Sequence, residues 1–152
     1  MTYNFNEINK FFIECYFRML EVFLKKHNQE DFKPYKDLKP ILKSLKNFKP
    51  KKYKNSWFYQ RHHVDEIYCS GAILKEDQNL YDNGLCLIVN IEEHAFLHYL
   101  IVMSQTTIPN YGMLLQISLQ QWDSINKKYC EKYNIPYIKN WPEYLRGLEF
   151  EE

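Results

Sequence analysis

LCLIVNIEEHAFLH, residues 85–98, is the stretch whose reading decides the fold. LCLIVN (85–90) is a short, continuously apolar run of the kind that forms a buried strand. Asn90 is a good helix N-cap, and Glu93 stands at the third helical position. Together they make the N-x-x-E capping box that starts a helix over IEEHAFLHYLIVMSQ, 91–105. Glu92 and Glu93 also suit the positive end of that helix dipole. The spacing of His94 and His98, four apart, stacks both imidazoles on one helix face, one turn apart. Two such rings can hold one metal ion.

Working outward, residues 57–68 (WFYQRHHVDEIY) mix aromatic and β-branched side chains and predict a strand. It carries two of the five histidines, His62 and His63. Neighbours in a strand point to opposite faces, so the two rings belong to different environments. A polar connection, 69–84, closes on Asp82-Asn83-Gly84, a turn signal. Upstream, residues 5–26 read as an amphipathic helix with Ile8, Phe11, Phe12, Cys15, Met19, Val22 and Phe23 as its apolar stripe. A second, shorter helix is expected over Asp37–Phe48, capped by Asp37 and ended by Pro50. Downstream, 106–112 break the chain, 113–133 form a long helix that Asn134 and Pro136 terminate, and NWPEY is at best a short helix.

The expected fold class is α+β, mainly helical, with a small β-hairpin. A chain of 152 residues with 45% hydrophobic content suits one domain with a proper core. Its parts are a Lys-rich helical segment (1–56), a ββα core (57–105) and C-terminal helices (106–152). No apolar run reaches the length of a bilayer span, and MTYNFNEINK lacks a signal-peptide pattern, so a cytoplasmic protein without membrane contact is expected. The four cysteines are scattered without a CxxC pair, as reduced thiols would be.

The net charge of +1 hides an asymmetry: residues 1–60 hold 13 Lys or Arg against 6 acids, and residues 61–152 hold 7 against 13. Lys43, Lys46, Lys49, Lys51, Lys52 and Lys54 belong to a cluster just upstream of the double histidine. Such a cluster gains affinity for a polyanion through counterion release, so these lysines are candidate nucleic-acid contacts. With 17 Lys and 3 Arg the grip is expected to fall on the phosphate backbone, since bidentate base reading is mostly arginine work.

An HH on a strand, a turn, an apolar strand and then EEHAFLH resembles the HNH or His-Me finger nucleases, whose ββα-metal motif cuts nucleic acid. The resemblance covers about residues 57–105 and is nearest in ligand pattern to nuclease colicins and small phage-type HNH proteins. It implies His62, His94 and His98 as metal ligands and His63 as general base, a role an imidazole suits because it can be neutral at physiological pH. Arg61, directly before the pair, is the candidate clamp for the scissile phosphate. The implied cofactor is a divalent ion. Three imidazoles favour Zn, Ni or Mn over Mg.

The family usually carries an Asn nine residues before the first helix histidine, where it orients the base. Leu85 stands there in this chain. Asn83 is the candidate substitute, with Asn79 behind it, while Asp65 and Glu66 could bind metal or position His63. The expected function is therefore a small metal-dependent endonuclease acting on DNA. The alternative is a non-enzymatic binding or inhibitor protein on a degenerate scaffold, for example in phage or mobile-element counter-defence, with a protein partner.

Overall fold

The computed structural model describes residues 6–38 and 46–148. Its centre is the strand-to-helix passage at Asn90. Strand β3 (Leu85–Asn90) runs straight into helix α4 (Ile91–Ser104), and the capping box forms in both directions: Asn90 Oδ1 accepts from Glu93 N–H, and Glu93 Oε1 accepts from Asn90 N–H, each at 2.8 Å. Every residue of α4 except Glu92 is buried. A helix apolar all round must be wrapped on all sides, and this one is the axis of the core.

Helix α1 (Glu7–Lys26) lies along α4 and buries Phe12, Cys15, Tyr16, Met19, Leu20, Phe23 and Leu24, a stripe at helical spacing. Ile8 and Phe11, expected in that stripe, are exposed instead, because the buried face is rotated toward Tyr16 and Leu20. On the other side α5 (Leu119–Tyr133) packs on α4. There Trp122 donates its indole N–H to the Ala95 carbonyl at 2.8 Å and meets Trp141 edge-on. Ser118 caps α5, and left-handed Asn134 ends it, so the helix begins six residues later than the sequence pattern suggested.

The sheet has three antiparallel strands in the order β1 (Lys33–Pro34), β3, β2 (Tyr59–His63). Register pairs His62 with Leu87 and His63 with Cys86. Directly opposed residues share a sheet face. Leu87 and Val89 face the main core with His62, whereas Cys86 and Ile88 face a small second cluster with Leu38, Tyr35 and Tyr59.

Two sequence expectations change. The strand expected over 57–68 ends at His63, and Val64–Ile67 turn as a 3-10 helix. The polar connection forms two short helices, α2 (Gly71–Leu74) and α3 (Gln78–Asn83), with Asp77 capping the second. The helix expected over Asp37–Phe48 falls partly outside the described residues. Asp37 itself closes a 3-10 turn at Tyr35–Asp37 and Leu38 is extended, so Asp37 does not cap an α-helix.

Candidate metal centre

His62 leaves β2 toward the core, and His94 and His98 rise from one face of α4 to meet it. The three ring centroids lie 4.9–5.3 Å apart. A fourth donor comes from the 3-10 turn after β2: Glu66 Oε2 lies 3.3 Å from His62 Nδ1, and Oε1 lies 3.6 Å from His98 Nε2. One ligand atom from each of the four residues falls within 4.8 Å of the others. Glu66 is the donor that the histidine spacing did not single out. Its signal in the sequence is position i+4 from His62, which only the tight turn at Val64 converts into proximity.

Hydrogen bonds around the rings fix which nitrogens are free. His94 Nδ1–H donates to Gln60 Oε1 at 2.5 Å, which leaves Nε2 as the lone-pair nitrogen. His62 Nε2 lies 2.7 Å from the Tyr16 hydroxyl, which in turn donates to the Val64 carbonyl at 2.9 Å. A phenol has one proton, so all three atoms are satisfied when His62 donates and Nδ1 keeps the lone pair. His62 Nδ1 and His94 Nε2 are both buried and without a hydrogen-bond partner. Orphaned buried acceptors are costly. Two of them, converging with a third imidazole and a carboxylate, fit a cation.

The electrostatics agree. Burial pushes His94 well below the ordinary imidazole range, with His98 and His62 adding to the effect. Burial likewise lowers His98 to about 4, against the pull of Glu66. Burial alone would raise the Glu66 carboxyl, but the imidazoles, His98 foremost, hold it well below the usual range. Neutral imidazoles beside an ionised carboxylate are the protonation states a metal requires. Three nitrogens and one oxygen suit Zn or a similar borderline ion better than Mg.

His63, on the opposite face of β2, donates Nε2–H to the Tyr81 carbonyl at 2.7 Å and stacks on Tyr35 at 4.9 Å. The neutral ring therefore carries its lone pair on Nδ1. Asn83, the expected orienter, instead donates to the carbonyl and side-chain oxygens of Asn79, one turn back on α3. A backbone carbonyl holds the His63 ring where a side-chain amide was expected. Asn79 is thereby also committed.

Gly84 is needed beside this ring, since a Cβ there would lie 3.1 Å from His63 Cδ2 and 3.0 Å from the Leu80 carbonyl. At Gly71 a Cβ would lie 2.9 Å from Glu66 Oε1, the far end of a side chain that would have to shift. A cavity of about 670 Å³ brings the pieces together: Gln60, Arg61, His63, Glu66, His94 and His98 all line it.

Arg61 stacks its guanidinium 3.8 Å above the Tyr35 ring and donates Nη1 to the carbonyls of Tyr35 and Leu38. Tyr35 thus lies between Arg61 and His63. Lys46, Lys49, Lys51, Lys52 and Lys54 are exposed, and Lys43 lies outside the described residues. Lys49 sits 4.7 Å over the exposed Trp57, and Lys52 pairs loosely with Glu92 at 3.9 Å. Among the described residues no helix is long and apolar enough to cross a membrane.

Comparison of the chain with protein-family models, with curated proteins and with solved structures returned no match.

Proposed function

We propose that this chain is a small metal-dependent endonuclease that hydrolyses phosphodiester bonds in DNA. The observation that carries the reading is one cavity lined by Glu66, His94 and His98 of the cation-ready His62–Glu66–His94–His98 set and also by His63, whose Nε2–H is held by the Tyr81 carbonyl. Site and base come from successive residues of one strand, and their opposite faces keep the two roles apart.

A divalent ion held by His62, Glu66, His94 and His98 would supply Lewis-acid charge for the phosphodiester and its leaving group. His63 accepts a proton at Nδ1 as a water oxygen attacks phosphorus, and the bond to the 3′ oxygen breaks. The Tyr81 carbonyl keeps Nε2–H in place, so the ring does not have to reorganise as it becomes charged. Arg61, held flat by Tyr35, turns positive charge toward the same cavity for the phosphate. Lys46, Lys49, Lys51, Lys52 and Lys54 supply a sequence-indifferent hold on the backbone.

One observation favours a second reading. The cluster offers four protein donors, the number found in closed structural zinc sites. On that reading the ion stabilises a non-enzymatic binding protein. The discriminating experiment is plasmid nicking with added Mn, Ni or Mg. A nuclease loses nicking with EDTA and in His63→Ala while still binding metal. A structural site shows no nicking in either protein.

A further inference from the structure

Resting on the nuclease reading, and deepening it to the class of substrate, we infer that a neighbouring cavity receives one unpaired nucleobase next to the scissile phosphate, making single-stranded DNA the preferred substrate. This cavity, about 530 Å³, adjoins the metal centre: Gln60, Arg61, Tyr81 and Gln116 line both. Its size falls in the ordinary range of small-ligand sites, roughly 300–1,000 Å³.

The walls select the occupant. Trp57, Tyr59 and Tyr81 give it aromatic walls, Tyr35 being already packed against Arg61 and His63, and Arg61 is the one charged residue among the described residues that line it. Among the described residues no carboxylate lines it, so a cationic guest in an aromatic cage would meet the guanidinium unopposed. A flat, neutral ring attached to an anion fits both features. The ring stacks, and the anion lies at Arg61 on the boundary with the metal cavity.

Edge-reading groups are present too. Among the described residues, the side chains of Asn55 and Ser56 and the amide nitrogen of Gln116 make no hydrogen bond. Asn55 is held in a left-handed conformation (φ 64°) that places it at the cavity wall. Gln60 ties the two cavities mechanically, because it donates to Gln116 at 2.6 Å while accepting from the ligand His94. A paired base offers neither free face nor free edge, so the nucleotide entering here is unpaired.

Trp57 is the test residue. It is 51% exposed, whereas Trp122 and Trp141 are fully buried, so its replacement spares the core and its fluorescence reports the cavity. The experiment compares a labelled single-stranded 16-mer, its full duplex, and a copy with one abasic residue at the main cleavage position. Cleavage is followed with Mn, and binding with EDTA by tryptophan quenching or, for variants, by anisotropy.

The expected result is faster cleavage of the single strand than of the duplex, by at least about five-fold, the low end for one stacked base. The abasic copy and the Trp57→Ala protein should lose a similar factor in binding, and Trp57→Phe should regain most of it. Duplex cleaved as fast as single strand, or Trp57→Ala binding single strand like wild type, overturns the inference. Wild-type protein that binds single strand through Trp57 yet cuts nothing upholds the cavity and sinks the nuclease reading alone.

Discussion

His63 donates its Nε2–H to the backbone carbonyl of Tyr81 at 2.7 Å. The bond spans the 3-10 turn and both short helices of the connection, so the orientation of a strand residue depends on how residues 64–84 fold. A side-chain orienter can be removed by one substitution, whereas this carbonyl cannot. On the nuclease reading the vulnerable points are His63 and Gly84, the glycine packed against it.

His63→Ala is expected to lower cleavage by roughly 10²–10⁴, the ordinary worth of a general base. Isothermal titration with Mn should give an affinity within about two-fold of wild type, because His63 is not among the four converging donors. Gly84→Ala tests position without removing the base. Its Cβ presses on the ring, and cleavage should fall about ten-fold with metal affinity retained.

The metal centre should report itself through stability. Saturating Zn or Mn at about 100 times the dissociation constant adds about 2.7 kcal/mol to the folded state. Differential scanning fluorimetry should therefore show a melting temperature that falls with chelator in wild type. The shift should be mostly lost in His94→Ala, His98→Ala and Glu66→Ala. Gly71→Ala, which pushes Glu66 Oε1 out of place, should show an intermediate shift. Equal melting temperatures with and without chelator in wild type would remove the site.

Tyr16→Phe and Gln60→Leu touch no donor atom, yet each frees a histidine ring to turn. Metal affinity should drop about 10–100-fold in each, as for other outer partners of ligating histidines. Tyr16→Phe also strands the Val64 carbonyl and should cost about 1–3 kcal/mol in urea unfolding without metal. Gln60→Leu should cost less, because its position is only partly buried.

Acid sensitivity should come in part from Glu93. It is fully buried, with Lys26 at 2.6 Å and His27 at 2.8 Å. Burial would raise its carboxyl, but His27, Lys26 and the Asn90 N–H lower it below the usual range. A carboxylate lowered in the fold stabilises above its unfolded pKa, and the contribution is lost as pH falls through the folded value. Stability should therefore decline below about pH 4.5 more steeply in wild type than in Glu93→Ala. At pH 7 that variant should already be about 1–3 kcal/mol less stable in urea titrations, since it removes a fully buried carboxylate together with its bonds to Lys26, His27 and the Asn90 N–H.

Lys46, Lys51 and Lys54 are exposed and make no ion pair among the described residues. Replacing all three with Ala should flatten the slope of log affinity against log salt by about 2–3 and weaken binding to all DNA sequences alike. A change confined to one sequence would contradict a backbone grip.

Much of the architecture was legible along the chain. The Asn90–Glu93 capping box, the apolar run of β3 and the long stripe of α1 are local signals, set by periodicities of two and 3.6 that side-chain chemistry alone displays. The alternation that parts His62 from His63 is equally local, and the pairing of HH with HxxxH identified the three rings that meet. The connection 69–84 shows no helical pattern because its two helices span only four and six residues, too few for a periodic apolar face, and only the second has a side-chain cap, Asp77.

The tertiary structure decided the rest. Glu66 joins the three histidines only because the strand stops at His63 and turns. Tyr16 and Gln60 select tautomers from 46 and 34 residues away. The Tyr81 carbonyl, lacking any side-chain signature, stands where an asparagine was expected. Composition and spacing state which groups a chain possesses, but a lone pair acquires a direction only when distant backbone closes around it, because hydrogen bonds and burial act through space rather than along the sequence.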